Sequence, residues 1–249
     1  MSMRLLEGKK AIITGAKGGI GRAIVKEFAS QGADIWTVQR NETPEWISFV
    51  QGIASENCVS IQSIDVDITD FDAVIQEIHK LKKSSVDILV NNAGIVGKNY
   101  LFEMTPMEEI KKVFETNFFA QINMTQQIVR IMRKQRSGSI VNIVSVAAID
   151  GNPGQMEYSA SKGAMVAETR KAAIEFGKYG IRVNAVAPGI TETKMIESMS
   201  DELKGYELNR TIMHRLIRPE EVASAVAFLG SDKAGGITGQ ILRVDGGRR

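Results

Sequence analysis

Thr14-Gly15-Ala16-Lys17-Gly18-Gly19-Ile20-Gly21 joins an apolar run, Ala11–Thr14, to a stretch with helical apolar spacing that starts at Gly19 and stops at Gly32. A strand that turns directly into a helix N-terminus needs residues without Cβ at the turn. Only then do backbone N–H groups and the helix dipole come close to a pyrophosphate. The glycines at 15, 19 and 21 miss the G-x-G-x-x-G spacing, and no Lys-Ser/Thr pair follows as a P-loop would require. On its own the loop is a phosphate cradle or a tight structural turn.

The rest of the chain repeats the same alternation. Ile35–Val38 and Val59–Ile64 read as the second and third strands, and Phe71–Lys83 as an amphipathic helix with Phe71, Val74, Ile75, Ile78 and Leu81 on one face. Val86–Val90 is a strand, residues 107–135 a helix, Ser139–Val144 a strand, residues 157–178 a helix and Ile181–Ala187 a strand. Pro219 opens another helix, and Gln240–Val244 closes the series. Short, continuously apolar strands separated by helices predict a mostly parallel sheet of about seven strands, covered on both faces. With no repeat or linker, residues 1–249 are expected to form a single doubly wound α/β domain of the Rossmann type.

Composition narrows the function classes. The 249 residues are 43% hydrophobic and 24% charged, with a formal net charge of +2. That is ordinary for a globular chain and gives no polybasic surface for nucleic acid or membrane. The densest basic run, Arg130 to Arg136, reads as a solvated helix end, with a docking patch for an acidic partner as the sharper alternative. No apolar run suits a signal peptide or a membrane span, so the three N-x-[ST] sequons lack a secretory context and a cytoplasmic protein is expected. The single cysteine, Cys58, reads as a small buried apolar residue. His79 and His214 are too few and too separated for a metal site, and none is expected. No G-x-S-x-G elbow is present.

An acidic residue about 20 positions past the loop would hold a ribose 2′-hydroxyl and favour NAD. Asp34 has that spacing but starts its strand, roughly 16 Å from the cofactor edge at ~3.3 Å per residue. Gln39 and Arg40 lie at that edge instead. A neutral Gln beside an Arg suits a 2′-phosphate, with Lys17 to assist, so NADP(H) is favoured; Glu42 nearby keeps NAD(H) open.

Ser145 follows an apolar strand, at the carboxyl end where α/β sheets bind ligands. Tyr158 and Lys162 stand four apart on a helix and share a face. A lysine charge about 4 Å from the phenol contributes on the order of 4 kcal/mol at an effective dielectric near 20. That would bring a tyrosine from near 10 to around 7, where acid–base catalysis works.

In this order the motifs resemble the short-chain dehydrogenase/reductase family, from Gly8 to Gly247. The matching residues are TGAKGGIG (14–21), Asp67-Ile68, NNAG (91–94), Asn117 in ETNFF, Ser145 in IVNIVS, YSASK (158–162), PGITET (188–193) and the terminal ITGQILRVDGG. The resemblance implies an enzyme that interconverts a ketone and a secondary alcohol. It implies Tyr158 as proton donor or acceptor, Lys162 to lower its pKa and hold the nicotinamide ribose, and Ser145 on the substrate oxygen. Asn117 would support a water that relays protons. For the cofactor it implies Gly15, Lys17, Gly19, Ile20 and Gly21 at the phosphates, Arg40 at the 2′-position and Asp67 and Ile68 beside the adenine. Asn91, Ala93 and Gly94 would line the cofactor, with Pro188, Gly189, Thr191 and Thr193 at the nicotinamide end.

Within the family the nearest resemblance is to 3-oxoacyl-[acyl-carrier-protein] reductases, which adds an acyl thioester substrate and an acyl carrier protein as partner. Gly154-Gln155 before the tyrosine is similar to theirs. Three positions bear on the match: Gly18 stands where a loop arginine is usual, Ile174 where a carrier-binding basic residue is usual, and Arg130 is basic. An NAD(H)-dependent sugar or polyol dehydrogenase shares every motif, and a non-catalytic nucleotide-binding regulator shares the fold. Residues 190–218, with Met195, Met199 and Met213, are expected to form a substrate lid. The outer faces of the two long helices are expected to pair between subunits, giving a homotetramer or a dimer.

Overall fold

The computed structural model describes residues 4–151, 154–193 and 201–248, with the main chain alone for 201–203. Seven strands form one parallel sheet in the order β3-β2-β1-β4-β5-β6-β7. They are β1 (Lys10–Thr14), β2 (Asp34–Gln39), β3 (Ile61–Asp65), β4 (Ile88–Asn91), β5 (Gly138–Ile143), β6 (Ile181–Pro188) and β7 (Ile241–Val244). The helices are α1 (Gly19–Ser30), α2 (Pro44–Asn57), α3 (Phe71–Lys80), α4 (Met107–Phe114), α5 (Ala120–Gln135), α6 (Ala147–Asp150), α7 (Met156–Phe176), α8 (Asp201–Asn209) and α9 (Pro219–Gly230). The strand order reverses between β1 and β4, and such a switch point is where doubly wound sheets open a crevice at their carboxyl edge.

The unbroken apolar runs have a simple cause. Successive strand side chains point to opposite faces, and both faces are covered. Ile13 and Ile88 enter one core with Phe28 and Trp46, while their neighbours Ile12 and Leu89 enter the other with Met124 and Ile128. All of these side chains are fully buried. Each contributes roughly 1.5–3 kcal/mol through burial.

Several sequence expectations are revised. Residues 107–135 do not form one helix: Glu115–Phe119 makes a π turn between α4 and α5. The amphipathic third helix stops at Lys80, and the third strand runs Ile61–Asp65. Cys58 is not in a core. It is exposed and adopts the left-handed C-cap of α2 at φ 56°. Helix α2 itself has clear signals that the spacing argument passed over. Thr43 caps it through its side-chain oxygen, Pro44 occupies the first turn, and Trp46, Val50 and Ile53 share its buried face.

Candidate active site

The glycine loop sits where β1 ends, at the switch point. Gly15 has φ +63°, and a Cβ there would lie 2.7 Å from the Cα of Ala93. A Cβ on Gly21 would collide with the Gly15 carbonyl, and one on Gly19 would lie 2.7 Å from Cγ2 of Thr193. No side chain caps α1 at Gly18, and its first turn carries no acidic residue. An uncapped helix N-terminus with small residues at its mouth leaves backbone N–H groups able to meet an anion. The loop, Ala93 and Thr193, named together from the sequence, are therefore brought together, with Ile20 half-buried at the start of α1.

The other end of the crevice lies at the carboxyl ends of β2 and β3. Gln39, the last residue of β2, is 5% exposed, and neither its Oε1 nor its Nε2 has a partner within the chain. A buried amide without partners within the chain leaves its hydrogen-bonding capacity for water or a polar ligand. Beside it, Arg40 Nη1 donates to Asp67 Oδ2 at 3.1 Å, and Lys17 Nζ donates to the Asn41 carbonyl at 2.6 Å. The arginine side chain in that pair is 65% exposed. Exposed pairs are worth at most about 1 kcal/mol, so the guanidinium is free to turn to a phosphate. Burial acts to raise the Asp67 carboxyl, but the Thr69 donors and Arg40 outweigh it and hold it below its usual range. Asp34 is at the far end of β2, where it accepts from the Ser60 amide. Ile68 is buried among core residues of the α3 face.

Strand β5 leads to Ser145, and α7 presents Tyr158 and Lys162 one turn apart. The Ser145 side chain lies close enough to the Tyr158 hydroxyl to act on it. Lys162 is buried and donates from Nζ to the Ile143 carbonyl at 2.8 Å. The π turn sets Asn117 beside them. Its amide accepts from the Ile95 N–H at 2.8 Å and donates to the Ile95 carbonyl at 2.9 Å and to Ser161 Oγ at 3.1 Å. A Cβ on Gly94 would lie 3.2 Å from Asn117 Oδ1 and 3.3 Å from Lys162 Nζ, so glycine lets these two groups face one opening. π turns recur at functional sites because the extra residue re-aims one side chain.

One electrostatic expectation is corrected. Lys162 was expected to draw the tyrosine toward neutrality, yet burial pushes the Tyr158 hydroxyl above its ordinary value, with only the Ser145 side chain acting against it. Burial also brings Lys162 down to about 8. The Coulomb argument supposed an ammonium aimed at the phenol. Here it is engaged by a strand carbonyl, and desolvation disfavours the charged form of both groups.

The Asn91 side chain is buried; its Nδ2 donates to Thr125 and Asn142 at 2.9 Å each, while its Oδ1 has no partner within the chain. Its neighbour Asn92, which sequence reasoning did not single out, donates from Nδ2 to the carbonyls of Thr14 and Gly15 at 3.0 Å each. Thr14 Oγ1 in turn accepts from the Asn92 and Ala93 amides. These residues lock the glycine loop to β4. Pro188 ends β6, the Gly189 amide donates to Val244, and Thr191 turns its hydroxyl to the Gly189 carbonyl. Of the expected lid, Met195 and Met199 lie outside the described residues. Met213 is 61% exposed.

A seven-stranded parallel sheet with a glycine cradle at its switch point, and a serine, tyrosine and lysine clustered at the carboxyl end of β5, define a Rossmann-type oxidoreductase. The chain belongs to the short-chain dehydrogenase/reductase family. A family model described as enoyl-(acyl carrier protein) reductase matches residues 15–249. A 3-oxoacyl-[acyl-carrier-protein] reductase of Thermotoga maritima is 38% identical over 246 residues, covering 97% of this chain and 98% of the relative. One from Haemophilus influenzae is 39% identical over 245 residues, with 97% and 98% covered. Among solved structures, a 3-oxoacyl-[acyl-carrier protein] reductase from Brucella melitensis superimposes with a TM-score of 0.89 at 32% identity, covering 99% and 94% of the two chains. A chain provisionally named gluconate dehydrogenase, from Agrobacterium tumefaciens, gives 0.92 at 27% identity, covering 99% and 98%. Among the described residues no helix is long and apolar enough to cross a membrane, and no three metal-ligating side chains come together.

Proposed function

We propose that the chain is an NADP(H)-dependent reductase of 3-oxoacyl thioesters in the cytoplasm, taking its substrate from an acyl carrier protein. The observation that carries the cofactor reading is the end of β2: it carries the neutral Gln39, whose buried amide has no partner within the chain, and then an exposed Arg40, rather than an acidic residue, with Asp65 and Asp67 contributed by the neighbouring β3 edge. A carboxylate there would repel a 2′-phosphate, whereas Arg40 and Lys17 attract one. The bound nicotinamide would supply the hydride. The chain's own residues do the rest. The Gly15–Gly21 loop and the start of α1 hold the pyrophosphate, and Pro188, Gly189, Thr191 and Thr193 border the nicotinamide end. Ser145 holds the substrate oxygen, Tyr158 moves the proton to or from it, and Lys162 and Asn117 connect that proton to solvent.

The full-length similarity to two reductases of that name supports the thioester substrate. A basic cleft of about 770 Å³ supports an acidic partner. It is lined by Lys82, Lys83, Arg130, Arg133, Lys134 and Arg136 with no carboxylate, and Arg133 stacks on Tyr179 at 4.4 Å. The cleft lies at the amino ends of the strands, away from Tyr158. Reversing Arg133 and Arg136 to Glu should therefore slow a carrier-linked substrate about tenfold and leave the coenzyme A thioester unchanged. Equal rates on both would remove the cleft from the reading.

The deciding experiment follows NADPH and NADH absorbance in parallel with acetoacetyl-CoA. Fast reduction by NADPH alone supports the reading. Activity confined to NADH and polyols would move the enzyme to the second reading, a sugar or polyol dehydrogenase, which the Agrobacterium structure favours.

A further inference from the structure

Six charged side chains form a connected cluster on the substrate side of β7, with Arg210 at its edge, Nη1 3.9 Å from Glu207. Arg243 places Nη1 and Nη2 on the two oxygens of Asp150 at 2.9 and 2.7 Å, and its Nε on Asp245 at 2.6 Å. Arg248 places Nη1 on Glu207 at 3.0 Å and Nε 3.7 Å from the same Asp150 oxygen. The Arg248 side chain is only 4% exposed, Asp245 7%, Glu207 13% and Asp150 21%. A planar guanidinium on a carboxylate through two parallel bonds fixes orientation as well as distance. At this degree of burial the pairs are screened far less than surface ones.

Each carboxylate belongs to a different piece of the site wall. Asp150 ends α6, the single turn that follows Ser145, and the Ala147 amide donates to Ser145 Oγ at 3.1 Å. Asp245 packs so closely on Gly189 that a Cβ there would lie 2.8 Å from its Cα. Glu207 lies on α8, within the stretch expected to cover the substrate. The main chain repeats the connection, since Ile212 and Met213 donate to the carbonyls of Gly247 and Gly246 at 3.1 and 3.0 Å. Residues separated by 93 positions in sequence thus meet at one guanidinium.

We propose that Arg243 and Asp150 are positioning residues, a charged hub that fixes the Ser145 turn against the Gly189 wall and couples both to α8 through Arg248 and Glu207. The hub rests on the assignment of Ser145 and Tyr158 to the chemistry, but its central claim is mechanical and needs no substrate to test. Hydrogen exchange is compared for the wild type, Arg243→Gln and Asp150→Asn. In both variants, amides 148–151 and those of Ile212 and Met213 should exchange at least fivefold faster together. Acceleration in 148–151 alone, with Ile212 and Met213 unchanged, would overturn the coupling. Should Arg243→Gln fail to fold, Asp150→Asn still tests it, because both arginines there keep their other carboxylates.

Kinetics on acetoacetyl-CoA then separate positioning from general stability. In Asp150→Asn the substrate KM should rise and kcat fall, about tenfold in their ratio, while NADPH affinity measured by fluorescence stays within twofold. The double variant should be no worse than Arg243→Gln alone, because the two act as one unit. An unchanged kcat/KM in a folded Asp150→Asn protein would overturn the positioning role. Near-normal turnover by Tyr158→Phe would instead sink the site assignment, and the exchange result would stand apart from it.

Discussion

At the residue scale the site is governed by desolvation. Tyr158 and Lys162 are both pushed toward their neutral forms. Tyr158→Phe should keep cofactor binding and lose at least a hundredfold in turnover, within the range general acid–base catalysis supplies. Rates near wild type would mean another proton source. Glu168 gives a stability test away from that chemistry. Burial raises its carboxyl to about 7, against the opposing hydrogen bond from Asn142. A carboxyl raised in the folded state binds its proton more tightly folded than unfolded, so stability falls as pH rises between the unfolded value, near 4.5, and about 7. The full loss would be roughly 3 kcal/mol at 1.36 kcal/mol per pKa unit. Glu168→Gln should therefore raise the melting temperature at pH 8 and leave it unchanged at pH 4, where both states carry the proton. Equal gains at both pH values would show that the carboxyl is not the cause.

At the element scale the glycine loop does the most work, and it was legible. Its helix-starting position followed from the absence of Cβ at three sites, and the structure adds which atom each would strike. Gly21→Ala drives a methyl into the Gly15 carbonyl. It should cost about 1–3 kcal/mol of stability, as overpacking does, and weaken nucleotide binding at least tenfold by fluorescence titration. A variant with normal affinity would show that the loop yields. The parallel sheet of about seven strands, the Tyr158–Lys162 face and Ser145 at a strand end were also readable, because period and spacing encode them. The π turn was not: Glu115–Phe119 keeps helical spacing on both sides, and the extra residue leaves no mark in the pattern. The inward turn of Asn91 was equally hidden, since its partners Thr125 and Asn142 come from elements 34 and 51 residues away. Nor does the order of charges along the chain bring Arg243 to Asp150. Long-range polar pairing is a product of the fold and has no local signature.

At the scale of the whole molecule, seven strands covered on both faces bury most of the large apolar residues, and the position of some of those left exposed is informative. Met107, Phe119 and Ile174 are 58%, 47% and 78% exposed, on α4, the adjoining π turn and α7. Single exposed apolar residues are common and explain nothing. Here, though, they lie along helical segments whose other faces are already committed, α7 against β6 and α4 against α7 and the π turn. The outer surface they share is thus ready to cover a second copy by two-fold symmetry, in which one patch meets itself. We expect light scattering at micromolar concentration to give about four times 27.3 kDa, or twice that mass if only one such face is used. A charge at the centre of a self-paired patch meets its own image, so Phe119→Asp should lower the assembly by a factor of two or more while the circular dichroism stays that of the wild type. A wild-type protein that scatters as a monomer would leave these side chains as ordinary exposed surface. It would also place every group the reaction needs within one chain.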